Sequence, residues 1–208
     1  MSVEVQRAAW RAEVGRAVAI DQWLDLIDRE GVKYERHVGR VAAPPEGFRG
    51  LPRDHNRVSG NVGGELMDWS RASGDRCEVL LRPTAVHANA FDREVLPDVV
   101  VIDGIAETLD VDGGVVTNPT VIVEVHSDET QAYDRGEKLA LYRSIESVRE
   151  VLLVESKRVG VVRHRRTPFG WATTETRDRD GVVVLSSVGC ELTVRSLYRR
   201  TGLVDTAS

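Results

Sequence analysis

The sequence is poor in cysteine. Only Cys77 and Cys190 occur among its 208 residues, far apart and without CxxC spacing. Disulfide frameworks belong to cysteine-rich chains in oxidising compartments. We therefore expect a cytoplasmic protein with two structural thiols.

Long apolar runs are missing as well. No stretch reaches the roughly 20 residues that span a bilayer. The opening segment, MSVEVQRAAWRAEVGRA, contains acidic residues and no continuous apolar core. We expect neither a membrane partner nor a secretory signal. The 41% hydrophobic and 29% charged content is typical of a globular chain long enough for one sizeable domain.

Positively charged residues are fewer than negatively charged ones: the chain has 28 Lys and Arg residues and 33 Asp and Glu residues, which gives a net charge of -5. Domains that hold nucleic acid by bulk electrostatics are usually basic. The balance disfavours that class, but it does not exclude an enzyme that meets a phosphate chain locally through a metal ion. Lysine occurs only at Lys33, Lys138 and Lys157, so each lysine stands out.

Zinc-type histidine spacing is also absent. The five histidines form no HxxxH or HxH pattern, which weakens the case for a zinc hydrolase. They are His37, His55, His87, His126 and His164.

The patterns that are present predict a mixed α/β (α+β) fold, with a central sheet flanked by helices, in a single domain of residues 1–208. Residues 1–30 are expected to be mainly helical, because apolar residues such as Trp10, Val14 and Val18 recur at helical spacing over residues 4–29. A hairpin with Gly39 at its bend follows, ended by Pro44 and Pro45. Residues 53–69 predict a second helix. The core spans residues 31–200, and residues 201–208 form a polar tail.

The second half reads mostly as strands rich in β-branched residues. One helical segment, DETQAYDRGEKLALYRSI, interrupts them, and Ser127, Asp128 and Glu129 mark its start. The chain closes on a short strand and a short helix. The predicted strands are CEVLLRP, DVVVID, TVIVEVHS, REVLLVES, GVVRHRR and GWATTET.

Two carboxylates interrupt apolar strand runs. Asp98 begins one strand after Pro97, and Glu124 lies within another, on the same face as Ile122 and His126. Burying an ionised carboxylate without a partner is costly. If the two strands are neighbours, the acids converge, and a Mg²⁺ ion with one or two carboxylates and waters would explain them.

The helix that follows supplies a lysine. Asp134, Lys138 and Tyr142 are four residues apart, so Lys138 falls on or beside the face that packs on the sheet. Its ammonium could stabilise phosphoryl charge or orient a water. Plainer interpretations stay open: Asp98 as a turn residue, Glu124 at an edge facing water, and Asp134 with Lys138 as a surface ion pair.

The segments LPDVVVID, NPTVIVEVHSDETQAYDRGEKLALYRSI and VREVLLVES resemble the core of the Uma-two family, restriction-endonuclease-like proteins of the PD-(D/E)XK nuclease superfamily. YERHVGRV and HNRVSGNVGGELMDW resemble the family's hairpin and histidine-led helix, so the likeness covers roughly residues 20–200. It implies a restriction-endonuclease-like fold and a nuclease that uses Mg²⁺ or Mn²⁺ on nucleic acid, with DNA expected and a homodimer common among relatives.

By this resemblance Asp98 and Glu124 are catalytic metal ligands, and the backbone carbonyl of Val125 is a third candidate. The usual lysine two residues after the acid is replaced by His126, and Lys138 on the next helix fits the displaced position. His126 either touches the site or is a hydrogen-bonded histidine at a strand end. Replacing Asp98 or Glu124 with Ala should abolish cleavage, whereas Tyr142→Phe should change the chemistry little.

Four further residues are candidates for the site rim: His55, Glu35, Glu65 and Tyr142. A helix N-cap neighbourhood and a surface hairpin would equally explain His55 and Glu35. The basic stretches 158–166 and 195–200 could line a phosphate track or be solvated faces. The residues also leave open a catalytically inactive nuclease fold that serves as an interaction or dimerisation module.

Overall fold

The computed structural model describes residues 14–30, 34–42, 52–109, 114–126 and 131–204. The predicted mixed α+β fold is confirmed: helices pack on mixed and antiparallel sheets. The predicted helix start at residues 127–129, the end of the hairpin at Pro44 and Pro45, and Trp10 lie outside the described residues.

The helices are α1 (Ile20–Glu30), α2 (Arg53–Ala72), α3 (Gln131–Tyr133), α4 (Leu139–Ser144) and α5 (Val194–Leu197). A π-helical turn, Asp134–Lys138, joins α3 to α4 without a break. We call this continuous segment helix 131–144. Within the described residues, no helix is both long and apolar enough to cross a membrane.

The strands are β1 (Glu35–His37), β2 (Arg40–Ala42), β3 (Cys77–Leu81), β4 (Ala85–Ala88), β5 (Arg93–Val95), β6 (Val99–Asp103), β7 (Val115–Val116), β8 (Val121–His126), β9 (Glu150–Glu155), β10 (Val161–Thr167), β11 (Gly170–Thr176), β12 (Val182–Leu185) and β13 (Cys190–Thr193). Sequence reasoning missed β4, β5, β7 and β12, which are short.

The main sheet has the order β11-β10-β9-β8-β6-β3. Only β8 and β9 pair in parallel; the other neighbours are antiparallel. Every residue of these two strands is buried, because both faces of the central strands are covered by other layers.

Two hydrophobic layers hold this sheet between helices. On one face, Val123 and its neighbours pack against Val58, Val62 and Leu66 of α2. On the other face, Ile122 packs with Tyr142 of helix 131–144 and its flanking leucines. Burial of each such side chain contributes about 1.5–3 kcal/mol. Strand β8 is thus placed between α2 and helix 131–144, and its residues can reach both.

The predicted hairpin belongs to a second sheet, of order β2-β1-β5-β4-β7. A third apolar cluster, including Trp23, Tyr34 and Leu96, packs α1 against it. The prediction that the N-terminal helix includes Val14 and Val18 is wrong. Residues 14–19 precede α1 and form a bridge to the hairpin, in which Val18 N–H donates to the Gly39 carbonyl at 2.9 Å.

Candidate functional site

Strands β6 and β8 are neighbours, and their register brings two acids together. Val99 pairs with Val123, so the next position along places Asp98 opposite Glu124. Asp98 N–H donates to the Val123 carbonyl at 3.1 Å, which extends the ladder by one bond. Directly opposed residues have Cβ atoms about 4.5–5.5 Å apart. Both acids are 1% exposed, so Glu124 is not an edge residue facing water.

Asp98 is held in place by three groups. Its Oδ2 accepts a hydrogen bond from Val125 N–H at 2.7 Å and lies 3.3 Å from His55 Nε2. Its Oδ1 forms an ion pair with the Arg82 guanidinium. A carboxylate with these partners has a fixed orientation at the end of the strand, beyond what a strand-start turn residue would require.

Glu124 faces helix 131–144. Its Oε1 lies 2.5 Å from Lys138 Nζ and accepts a hydrogen bond from the Tyr142 hydroxyl. Burial raises the pKa of the Tyr142 phenol well above its ordinary value, and the Glu124 charge raises it further. Tyr142 therefore stays protonated and acts as a donor that fixes the Glu124 carboxylate.

Lys138 is 1% exposed, which is rare for a lysine. Its Nζ also lies 3.4 Å from the Leu96 carbonyl and 3.7 Å from Glu35 Oε1. Burial alone would lower the pKa of this ammonium, but the charges of Glu124, Glu35 and Asp134 outweigh burial and raise the pKa. Lys138 is therefore a fixed cation within a group of carboxylates.

The π-helical turn explains why the helix can present Lys138 to the sheet. Asp134 and Lys138 begin and end this turn, and both are buried, so they are not a surface ion pair. A π turn widens the helix locally and is frequent at functional sites. Leu141 and Ile145 pack on the sheet beside it, as their spacing predicts.

The hairpin contributes Glu35. This side chain is 4% exposed, accepts a hydrogen bond from the Tyr133 hydroxyl and lies 3.2 Å from His37 Nε2. It is therefore a buried member of the cluster around Lys138 and not a surface hairpin residue.

Arg82 is the site residue that sequence reasoning missed. It follows β3, whose last residue Leu81 pairs with Val99, so Arg82 stands opposite Asp98. Burial lowers the pKa of its guanidinium, while the Glu124 charge acts in the opposite direction. Arg82, Asp98 and Glu124 therefore occupy adjacent positions on three neighbouring strands. Only the pairing of β3 with β6 indicates that Arg82 belongs to the site, and a single sequence does not reveal that pairing.

His126 is buried beside the site. Among the described residues neither of its ring nitrogens has a hydrogen-bond partner, which contradicts a simple hydrogen-bonded strand-end histidine. Burial lowers the pKa of His126 to about 4, with the Arg135 charge acting in the same direction. The imidazole is consequently neutral at pH 7.

Glu65 is not brought to these residues. It lies ten positions beyond His55, about 15 Å along α2 at 1.5 Å per residue. Its charge instead contributes to the raised pKa of Cys190. The structure therefore does not bring Glu65 together with the other candidates for the site rim.

Two carboxylates are enough for a hard divalent cation. In the part of the chain that the structure describes, no group of three or more His, Cys, Asp or Glu side chains has metal-ligand geometry. A closed zinc-like site is therefore not built here. Mg²⁺ fits better, because it is bound through one or two carboxylates and keeps several waters. Asp98 and Glu124, opposed at a strand end, are the two carboxylates that could hold such an ion.

The cluster at this site consists of Glu35, Arg82, Asp98, Glu124, Lys138 and Tyr142. Residues 20–195 of the chain match the model of a family described as "Uma2: Putative restriction endonuclease". The chain belongs to the Uma2 family. Every residue of the cluster, from Glu35 to Tyr142, lies within the matched segment. A nuclease-like function is thus the one that the family supports.

Two cyanobacterial relatives of this Uma2 protein have names without a function. Uncharacterized protein slr1290 of Synechocystis is 25% identical over 180 residues, which cover 86% of this chain and 90% of the relative. Uncharacterized protein sll1609 of the same organism is 30% identical over 107 residues, which cover 51% of this chain and 59% of the relative.

Proposed function

We propose that this Uma2 protein is an endonuclease that hydrolyses phosphodiester bonds of nucleic acid with the help of Mg²⁺ or Mn²⁺. DNA is the proposed substrate. The observation that carries the proposal is the buried contact between Glu124 and Lys138, beside Asp98. Burying three charged side chains together is costly, and this cost favours a functional reason for their meeting.

Each side chain of the site has a separate role in the proposed reaction. Asp98 and Glu124 would hold the ion, with the Val125 carbonyl as a third candidate ligand. When bound, the ion would lower the pKa of a water and offset charge on the scissile phosphate. Tyr142 and Val125 N–H fix the two carboxylates, so their orientation need not change on binding. The Lys138 ammonium supplies a fixed positive charge for the phosphoryl oxygens in the transition state.

The test is a cleavage assay on single- and double-stranded DNA and on RNA, with Mg²⁺, with Mn²⁺ and with EDTA. The wild type should cleave only with metal. Glu124→Gln keeps the size of the side chain and should lose nearly all cleavage, because it removes a charge that acts on the ion. Glu191→Gln makes the same chemical change at an exposed residue of β13 and should cleave like the wild type. Equal activity in both variants would refute the assignment.

One observation favours a second candidate, a catalytically inactive fold that serves as an interaction or dimerisation module. Arg82 already pairs with Asp98, and Lys138 with Glu124, so each acid has a protein cation. Titration with Mn²⁺ separates the two candidates: the inactive fold should not bind the ion, and the nuclease should.

We further propose that two copies act together on duplex DNA, because one site of this kind cuts one strand. Light scattering at several protein concentrations, with and without a duplex, should show a dimer. A monomer that makes only single-strand nicks would contradict this.

A further inference from the structure

An open groove runs along the outer face of α2. Its volume is about 630 Å³, and it is lined by Arg53, Asn56, Arg57, Gly60 and Asn61. These residues recur every three or four positions, so they share one face of the helix, opposite the face that contributes Val58 and Val62 to the core. We call this feature the α2 groove.

The α2 groove is positively charged. Arg53 is exposed and Arg57 is half-buried, and neither forms an ion pair with any of the described residues. The neighbouring Asp54 is neutralised by Lys157, whose Nζ lies 2.9 Å from Asp54 Oδ2. In a chain of net charge -5, two arginines whose charge no described carboxylate offsets mark a local positive potential.

The segment that follows α5 lies next to the groove. Asn61 Nδ2 donates to the carbonyls of Leu197 at 3.0 Å and of Arg199 at 2.9 Å, which fixes the end of α5 against α2. Arg199 and Arg200 are exposed beside this contact. The floor stays open at Gly60, where an added Cβ would meet nothing within 4 Å.

The same helix turn reaches the candidate site. His55 lies between Arg53 and Arg57 in the chain, but it points inward, with Nε2 at 3.3 Å from Asp98 Oδ2. The groove and Asp98 are therefore on opposite sides of one helix, which with its side chains is about 10–12 Å across.

We infer that the α2 groove binds the phosphodiester backbone of the nucleic acid, on the outer face of the helix whose inner face carries His55 to Asp98. The inference rests on the proposed function and names the surface that delivers its substrate. Arginine and asparagine side chains are common phosphate donors, and contacts of this kind position a strand without reading its sequence. The Asn61 amide is already engaged by the Leu197 and Arg199 carbonyls, so Arg53, Arg57 and Asn56 are the donors that fit a polyanion.

The test is the double variant Arg53→Gln/Arg57→Gln, with binding of a fluorescein-labelled DNA duplex followed by anisotropy in EDTA, so that cleavage does not interfere. Salt is varied from about 50 to 200 mM. Each lost phosphate contact lowers the slope of log affinity against log salt by about 0.9, so the variant should lose nearly two from the slope. The Kd should rise about tenfold or more.

The matched control is Arg71→Gln/Arg149→Gln. Both arginines are exposed, Arg71 lies fourteen positions beyond Arg57 on α2, and Arg149 precedes β9 at the end away from Glu124, so the control removes the same charge elsewhere. It should keep the wild-type slope. If both double variants bind DNA with equal slope and affinity, the groove inference is overturned.

That failure is distinguishable from failure of the proposed function. Wild-type cleavage that Glu124→Gln abolishes, together with binding that is indifferent to Arg53 and Arg57, would leave the nuclease and remove only the groove. Absence of both DNA binding and cleavage in the wild type would overturn both. Binding of polyglutamate but not of DNA, with the same arginine dependence, would assign the groove to a protein partner and overturn the inference.

Discussion

Replacing Lys138 with methionine removes the ammonium but keeps the length of the side chain. The buried Glu124 then loses its nearest cation, which lies 2.5 Å away. The Tyr142 hydroxyl remains as a donor to Glu124 Oε1. A buried carboxylate in that position is destabilising, so the folded state of Lys138→Met should be weakened.

The magnitude follows from the geometry. With an effective dielectric constant of about 20, two unit charges at this separation attract by about 6–7 kcal/mol. Desolvation of both groups offsets much of that attraction, and removing one partner of a buried pair typically costs about 3–5 kcal/mol. We expect that loss for Lys138→Met. Lys157→Met removes a half-exposed lysine paired with Asp54 and should cost less than about 1 kcal/mol.

A double-mutant cycle isolates the pair. Glu124→Gln, Lys138→Met and the combined variant are unfolded with urea in EDTA, followed by the fluorescence of the four tryptophans. The combined variant should be more stable than the sum of the single losses implies, by about 2 kcal/mol or more. It also provides a folded member of the cycle should Lys138→Met fold poorly, because it contains no uncompensated charge at either position.

A coupling energy below about 0.5 kcal/mol would refute the reasoning, since residues in contact normally show more than that. The reasoning would also be refuted if Lys138→Met lowered the free energy of unfolding no more than Lys157→Met does. Either result would remove the observation on which the proposed function depends.

Three further outcomes are expected. Burial lowers the pKa of His164 to about 4, so between pH 6.5 and 4 only the unfolded chain takes up a proton at this residue. The free energy of unfolding of the wild type should therefore fall with pH in this range, by up to about 1.4 kcal/mol per pH unit. In urea unfolding at pH 7 and pH 5, His164→Asn should lose less stability between the two pH values than the wild type, and equal losses would contradict this. Arg82→Gln deprives Asp98 of its cation, so the melting temperature of this variant in EDTA should lie several degrees below that of the wild type. Added Mn²⁺ should raise the melting temperature of the variant more than that of the wild type, and identical responses would contradict the role of the Arg82–Asp98 pair. Tyr142→Phe removes a hydrogen bond to the charged Glu124 and should lower the free energy of unfolding in urea by about 1.5–3 kcal/mol. Cleavage should fall less than about tenfold. A loss of cleavage as complete as that of Glu124→Gln would instead assign the hydroxyl to the chemistry.

The long periodic elements were predictable from the sequence. Strands β6, β8 and β9 are continuous apolar runs with β-branched residues, and α2 has a clear helical face. The short strands of the second sheet were not predictable, because two to four residues have no periodicity of their own and depend on pairing with distant partners. The stretch around Val18 has helical spacing, but bridging to the hairpin outweighs that weak local preference.

The site was predictable only in part. Asp98, Glu124 and Lys138 are conspicuous because each departs from the pattern around it, and their meeting follows from strand adjacency. Arg82 has no such signal. A buried acid is also not a sufficient sign of function: Glu94, which is fully buried in the second sheet, pairs with Arg36 at 2.7 Å and lies 2.8 Å from His87 Nδ1. Partners across the fold decide which acids form a site.

Calorimetric titration with Mn²⁺ tests most directly whether Asp98 and Glu124 form one cation site. The wild type should bind the ion in the absence of nucleic acid, and Asp98→Asn and Glu124→Gln should each lose that binding. Wild-type protein that takes up no Mn²⁺, or variants that bind it as tightly as the wild type, would contradict the account.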